Sequence, residues 1–171
     1  YDNIMAKTNE FERKLDDASI DSKTKWVIAQ AFRSYMTNTW LVYSSSVFDV
    51  FGPKYSNVAF YVWEGCCDCC NFMSTIDVAH EYGVFEGYVM PWALKMELNE
   101  WSSRQVSDEY GRYIVHDVGY HLRITNNQAY FEPMQAEENS NYILLLYWYW
   151  KQTGDDEFVA GKLDLVKDLI K

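Results

Sequence analysis

No run of basic residues occurs in this 171-residue chain, which carries Lys+Arg 15 against Asp+Glu 25 for a formal net charge of −10. Phosphate backbones and anionic membrane surfaces are held by clustered Lys and Arg, so nucleic acid and acidic lipid are excluded as partners. Cysteine is absent outside one segment, Cys66, Cys67, Cys69 and Cys70 in CCDCC, so there is no scattered disulfide framework. The overlapping C-x-x-C spacings lack a second ligand pair, with His80 the only nearby histidine, so reduced, partly buried thiols are expected rather than a metal. Free thiols favour a reducing, cytoplasmic compartment. The longest apolar run, Tyr142 to Trp150, falls far short of the roughly 20 residues that cross a bilayer. Neither a basic n-region nor an apolar h-region opens the chain at Tyr1, and the helix-like start without Met suggests a fragment or processed chain. G-x-S-x-G, P-loop, G-x-G-x-x-G and H-E-x-x-H are all missing, which removes α/β-type hydrolases, common nucleotide binders and zincins.

What the chain has in excess is aromatic surface. Hydrophobic residues make up 49%, enough to offset chain entropy, and seven Trp, 14 Tyr and nine Phe amount to 18%. That exceeds the needs of a core of this size and fits a ligand-lined cleft or a large interface. Sugar rings stack on such faces.

Two helices are expected at 2–17 and 21–37, the second capped by Asp21 or Ser22, with Trp26, Val27, Ala29, Ala31 and Phe32 on its apolar side. Residues 40–63 read as an extended stretch or small hairpin around Gly52-Pro53. A helix at 74–88 with Ser74 as N-cap precedes one opened by Pro91. Residues 107–135 show no sustained period and read as a long loop, a length that is usually functional. The helix from Ala136 to Thr153 is apolar all round and is expected to be buried on every side, with Gly154 ending it and Asp155 or Asp156 capping a final amphipathic helix. The architecture is mainly α, with helices paired as hairpins and aromatic-rich loops at one end.

Three clusters place carboxylates among rings. Trp63-Glu64-Gly65, with Asn71 and Asp77, puts a carboxylate at the end of a strand-like run, where it either stabilises a loop or faces a pocket. His116-Asp117-Val118-Gly119, flanked by Tyr113, Tyr120 and His121, offers a general acid tuned by its neighbours, or an ordinary Asx-turn. Glu132 to Asn139 leads into the apolar helix; its acids suit the helix dipole, while Asn139 and Asn141 need buried partners that a ligand could supply. Carboxylates in an aromatic cleft are the equipment of glycoside hydrolysis.

The order RSYMTNTWLV at 33–42, WEG at 63–65, STID at 74–77, HDVG at 116–119, EPMQAEENSNYIL at 132–144 and KQTGD at 151–155 resembles the catalytic half of (α/α)6-barrel glycoside hydrolases. It is most similar to glycoside hydrolase family 52, the β-xylosidase family, with its R-S-Y, N-E-G, N-T-F-D, T-H-D-M-G, M-T-H-E and Q-T-G-D order. Glutaminase-like proteins share part of it, including an M-P-V-E-E helix. The resemblance implies Glu64 as nucleophile, Asp117 as acid/base and Glu137 as a further catalytic carboxylate. Trp63, His116, Tyr113, Tyr120, Asp77, Glu138 and Asn141 are expected around the substrate, with no cofactor and no metal. It implies an exo-acting, retaining β-glycosidase; a glutaminase-like amidohydrolase and a non-catalytic carbohydrate-binding half-domain are the alternatives. A closed barrel of this type needs about twelve helices, so residues 1–171 are expected to form half of a toroid. Its completing partner would be the remaining half or a second copy.

Overall fold

The computed structural model describes residues 2–43, 58–64, 71–109, 111–121, 123–125, 127–130 and 133–171. The expected Gly52-Pro53 turn, Gly65, the four cysteines and Glu132 lie outside them. The fold is mainly helical and divides into two units, residues 1–37 and 38–171.

The first unit is a helix pair, α1 (Asp2–Asp17) and α2 (Ser22–Thr37). Asp21 caps α2: its carboxylate accepts from the backbone N–H groups of Lys23 and Thr24 and from the Thr24 hydroxyl, at 3.0, 3.1 and 2.5 Å. These bonds satisfy donors that the helix itself leaves unpaired. Phe11 stacks on Phe32 across the pair at 4.7 Å.

The second unit opens with an antiparallel hairpin, β1 (Thr39–Tyr43) against β2 (Val58–Val62), in the register Thr39↔Val62. Ala59, Phe60, Tyr61 and Val62 are buried in succession, as in a strand covered on both faces. β3 (Phe72–Met73), β6 (Gly119–Tyr120) and β7 (Arg123–Ile124) form a small sheet, and β4 (Val106–Asp108) pairs with β5 (Gly111–Tyr113). Residues 107–135 are therefore not a structureless loop. Strands of two or three residues are too short to leave a periodic trace in a sequence.

Three long helices carry the core: α3 (Ile76–Val89), α4 (Pro91–Ser103) and α5 (Gln135–Thr153). Pro91 opens α4 one residue after α3 ends, and Gly154, at φ 64°, closes α5 in the left-handed conformation that glycine adopts without penalty. Trp101, Leu94, Leu98, Ile76, Ile114, Tyr142 and Leu145 are the centre of the apolar cluster. The final helix breaks at Gly161–Lys162 into α6 (Asp156–Ala160) and α7 (Leu163–Leu169), instead of running unbroken. Among the described residues no helix is long and apolar enough to cross a membrane.

Burial on every side of α5 is not observed. Glu138, Tyr142, Leu145, Leu146 and Tyr149 face inward, whereas Leu144, Tyr147 and Trp150 are exposed. One side of the helix meets α3 and α4, and Tyr147 and Trp150 line an open groove with Val159, Leu163 and Val166. This groove contains none of the candidate catalytic carboxylates.

The α3–α5 contact depends on glycine. A Cβ at Gly83 would stand 2.5 Å from Leu145 Cδ2, closer than such atoms pack. Gly83→Val is expected to destabilise the fold by about 1–3 kcal/mol in urea unfolding, since overpacking must displace a buried leucine. Adding Leu145→Ala should recover part of the loss, in a double-mutant cycle.

Candidate active site

The chain leaving β2 carries Trp63 and Glu64 to the edge of the small sheet, where Trp63 bridges to Met73 and the Glu64 N–H donates to the Phe72 carbonyl at 3.0 Å. Glu64 Oε2 accepts the Thr75 hydroxyl at 3.0 Å. Burial is the main cause that raises its pKa above the ordinary carboxylate value; Thr75 opposes this, Asp77 adds to it, and His116 and Asp117 act in opposite senses. The first and second sequence clusters thus meet at one place.

Thr75 is held there by an unusual residue. Ser74 has φ 46° and lies before the helix instead of capping it, Thr75 being the N-cap residue. The Ser74 hydroxyl donates to Glu97 Oε1 at 2.5 Å and accepts from the Val62 N–H at 3.2 Å, while its carbonyl accepts the Trp101 indole N–H at 2.8 Å. A serine so bonded can hold a positive φ that the backbone alone disfavours.

Glu97 belongs to a buried acidic group that sequence reading missed, because charged residues in a helix normally mark a solvated face. Glu86, Glu97 and Glu100 are all fully buried. Glu97 takes hydrogen bonds from Ser74, Tyr82 and Glu86, and Glu100 pairs with Arg104 at 2.6 Å and accepts from the Tyr61 hydroxyl at 3.3 Å. Burial pushes Glu97 and Glu100 up to about 7 each, from an ordinary 4.5. Acids with a raised folded-state pKa bind protons more tightly folded than unfolded, so they stabilise most below pH 4.5 and lose that contribution as pH rises towards 7. These groups should make stability fall between those limits by up to roughly 1.4 kcal/mol per pH unit for each titrating group. Urea unfolding followed against pH should show the fall, with a shallower slope in Glu97→Gln.

His116 stands at the centre of the site. Its backbone carbonyl accepts the Ile76 N–H at 2.9 Å, fixing it to the first turn of α3. Its ring stacks on Tyr130 at 4.4 Å and meets the Phe72 ring edge-on at 5.6 Å. Nδ1 lies 3.1 Å from Asp117 Oδ2, and Nε2 faces Asp77 Oδ1 at 3.9 Å. Asp117 is fully buried: Oδ1 accepts the N–H groups of Gly119 and Ala129, and Oδ2 accepts that of Tyr130 besides facing His116. Those contacts fill its acceptor positions and leave no oxygen directed at open space. They also favour the tautomer with the proton on Nδ1, leaving Nε2 towards Asp77.

The neighbours Glu137 and Glu138 separate by the rotation of one helical residue. Glu137 is exposed in the first turn of α5, outside the site, whereas Glu138 is fully buried. Asp77, His116 and Glu138 each bring an oxygen or nitrogen within 4.8 Å of the others, an arrangement that could accept a cation where none was expected. Burial is the main cause that raises the Glu138 pKa, repulsion from Asp77 and Glu137 adds to it, and a hydrogen bond from the Asn141 side chain only partly offsets them. The carboxyl is consequently raised to about 8.

Among the expected ring residues, Tyr120 packs on Phe72 at 5.0 Å and so borders His116. Trp63 donates its indole N–H to the Asn71 carbonyl and packs edge-on against Trp40. Tyr113 is instead buried in the β4–β5 hairpin, opposite Val106 and with Asp108 as its charged neighbour. Asn139 needs no ligand: its side chain accepts the Ile114 N–H and donates to the Arg112 and Leu169 carbonyls.

Carboxylates gathered around one imidazole and bordered by aromatic rings, in a mainly helical fold, are equipment that glycoside hydrolysis uses. The sequence model of glycosyl hydrolase family 52 matches residues 1–144, and the chain belongs to that family. It is accordingly an enzyme of carbohydrate metabolism that hydrolyses glycosidic bonds, with a carbohydrate substrate. No curated protein matches the chain.

Proposed function

We propose that the chain carries the nucleophile and sugar-holding side of an exo-acting, retaining β-glycosidase for xyloside-type substrates, within half of an (α/α)6 barrel. The observation that supports this most is the convergence of Glu64, from the end of β2, on Thr75, Asp77 and His116 at the start of α3. Glu64 attacks the anomeric carbon, the bond to the aglycone breaks with its electron pair leaving on oxygen, and that oxygen takes a proton. Water, giving up a proton to a base, then attacks the anomeric carbon from the face the aglycone left and releases the Glu64 carboxylate, so two inversions retain the configuration.

In this reading Asp77 and His116 Nε2 hold sugar hydroxyls, and Phe72, Tyr120 and Tyr130 supply the apolar wall. Asp117, the acid/base of the motif order, acts through His116 as a positioning residue. Proton donation needs an oxygen free to approach the leaving group, and those of Asp117 are committed elsewhere. In this reading the donor is a group other than Asp117. The test is anomer-resolved NMR of the full-length protein acting on aryl β-xylosides and β-glucosides, with glutamine as a separate substrate. Release of β-xylose first supports the reading; α-xylose first, or turnover of glutamine alone, overturns it.

A further inference from the structure

We propose that Ser74 is a positioning residue for the covalent step: anchored by Glu97, it holds both partners of the Glu64–Thr75 hydrogen bond and so sets where the Glu64 carboxylate stands. This deepens the reading of Glu64 above and rests on it. Three observations carry it. Ser74 engages both backbone groups of Val62, its N–H donating to the Val62 carbonyl at 2.6 Å and its hydroxyl accepting the Val62 N–H at 3.2 Å. Val62 ends β2 and Glu64 follows two residues on, so the chain is fixed just before it delivers the carboxylate. On its other side Ser74 is joined by one peptide bond to Thr75, whose hydroxyl donates to Glu64 Oε2 at 3.0 Å. Donor and acceptor of that bond therefore both take their place from one residue. Finally, α4 holds Ser74 itself: Glu97 Oε1 accepts its hydroxyl at 2.5 Å and the Trp101 indole N–H donates to its carbonyl at 2.8 Å, all three residues being fully buried.

Ser74 stands at φ 46°, a left-handed conformation that glycine takes without strain and other residues adopt at a cost. What serine adds at this position is its hydroxyl, bonded on one side to the Val62 N–H and on the other to Glu97. The carboxyl of Glu97 is costly as well, since an apolar side chain would fill the core of α4 without a polar group to satisfy. Both costs fall at the point where the segments that bear Glu64 and Thr75 meet, and strain held in place by its surroundings clusters at such working positions. Attack on an anomeric carbon needs the carboxylate oxygen in line with the breaking bond, and a displacement of about 1 Å slows such a step about 100-fold. The Ser74 side chain bonds Val62 and Glu97 rather than Glu64, so it acts on the rate of bond formation and not on the binding of the sugar.

The experiment compares Ser74→Gly and Ser74→Ala in the full-length protein. Both lose the hydroxyl, but glycine accepts the backbone and alanine does not, so only Ser74→Ala should melt well below the parent. The substrate is an aryl β-xyloside with a weakly acidic leaving group, for which the first displacement limits turnover. Both variants should lose about 10–100-fold in kcat with KM within about twofold of the parent. Losses that track the melting temperature instead, or a kcat within about twofold of the parent in Ser74→Gly, overturn the proposal. In Glu64→Ala rescued by azide no carboxylate is left to place, so adding Ser74→Gly should cost less than about twofold; the full loss in that background also overturns it. A crystal structure of Ser74→Gly reads the placement without any turnover. The 3.0 Å contact between Glu64 and Thr75 should be broken, and an intact contact overturns the proposal even if the enzyme is a xylosidase. Azide that fails to rescue Glu64→Ala, or a protein that cleaves no xyloside, overturns the nucleophile or substrate reading alone, and the crystal contact then decides the role of Ser74.

Discussion

Replacing Glu64 by alanine is expected to lower kcat/KM on an aryl β-xyloside by about 10⁴-fold or more, the scale seen when an enzyme loses its nucleophile. Little of this would come from unfolding. Glu64 is half-buried and its side chain accepts a hydrogen bond from Thr75, so stability should change by about 1 kcal/mol. Sodium azide should restore turnover of substrates with good leaving groups, because a small anion enters the space of the lost carboxylate. The product should be the α-glycosyl azide: one displacement at the anomeric carbon inverts the β-configuration, whereas two retain it. NMR of the product reads this directly. A loss of activity in Glu64→Ala that azide does not rescue would place Glu64 among the groups that merely hold the substrate.

Asp117→Asn should give the second large effect, on stability and activity together. An amide presents an NH₂ where a carboxylate accepts two donors, so at least one of the Gly119, Ala129 and Tyr130 N–H groups, or His116, loses its partner. For a fully buried network this is expected to cost about 3 kcal/mol in urea unfolding. Freed from Asp117, His116 should misplace its Nε2, and kcat/KM should fall about 100-fold. The dependence on leaving group separates this role from that of an acid/base. A positioning residue acts on every substrate alike, so aryl xylosides with acidic and with weakly acidic leaving groups should lose the same factor. A proton donor would spare the activated ones. Equal losses support the role given to Asp117 here; a loss confined to poor leaving groups reinstates it as the acid.

The legible parts of this fold are those with local chemistry of their own. Asp21, Pro91 and Gly154 mark helix ends by what they do to a few neighbouring backbone groups, and the helices follow them closely. The illegible parts depend on distant partners. Ser74 is the residue type that caps a helix, yet Glu97, 23 positions away, takes its hydroxyl and sets its backbone. The short strands between Val106 and Ile124 owe their pairing to Phe72–Met73 and to one another rather than to any pattern of their own.

The site divides in the same way. Glu64, Asp77, His116 and Asp117 stand out in sequence as carboxylates and imidazole beside aromatics. That they belong to one place is a product of the small sheet, where β3 pairs with β6 between them. The roles within the site are less accessible. Asp117 is occupied by the backbone of Ala129 and Tyr130, which no side-chain motif announces. Glu137 and Glu138 look alike on the page, and only the direction in which α5 packs sends one to solvent and the other into the core.

The central claim is that Glu64 forms the covalent bond to the sugar. A 2-deoxy-2-fluoro-β-xyloside with a good leaving group slows the second displacement and lets the glycosyl-enzyme accumulate. Peptide mass spectrometry of the trapped full-length protein should then find one fluoroxylosyl group, on the peptide containing Glu64 and on that side chain. A label on any other carboxylate, or active enzyme that accumulates no label, would contradict the claim.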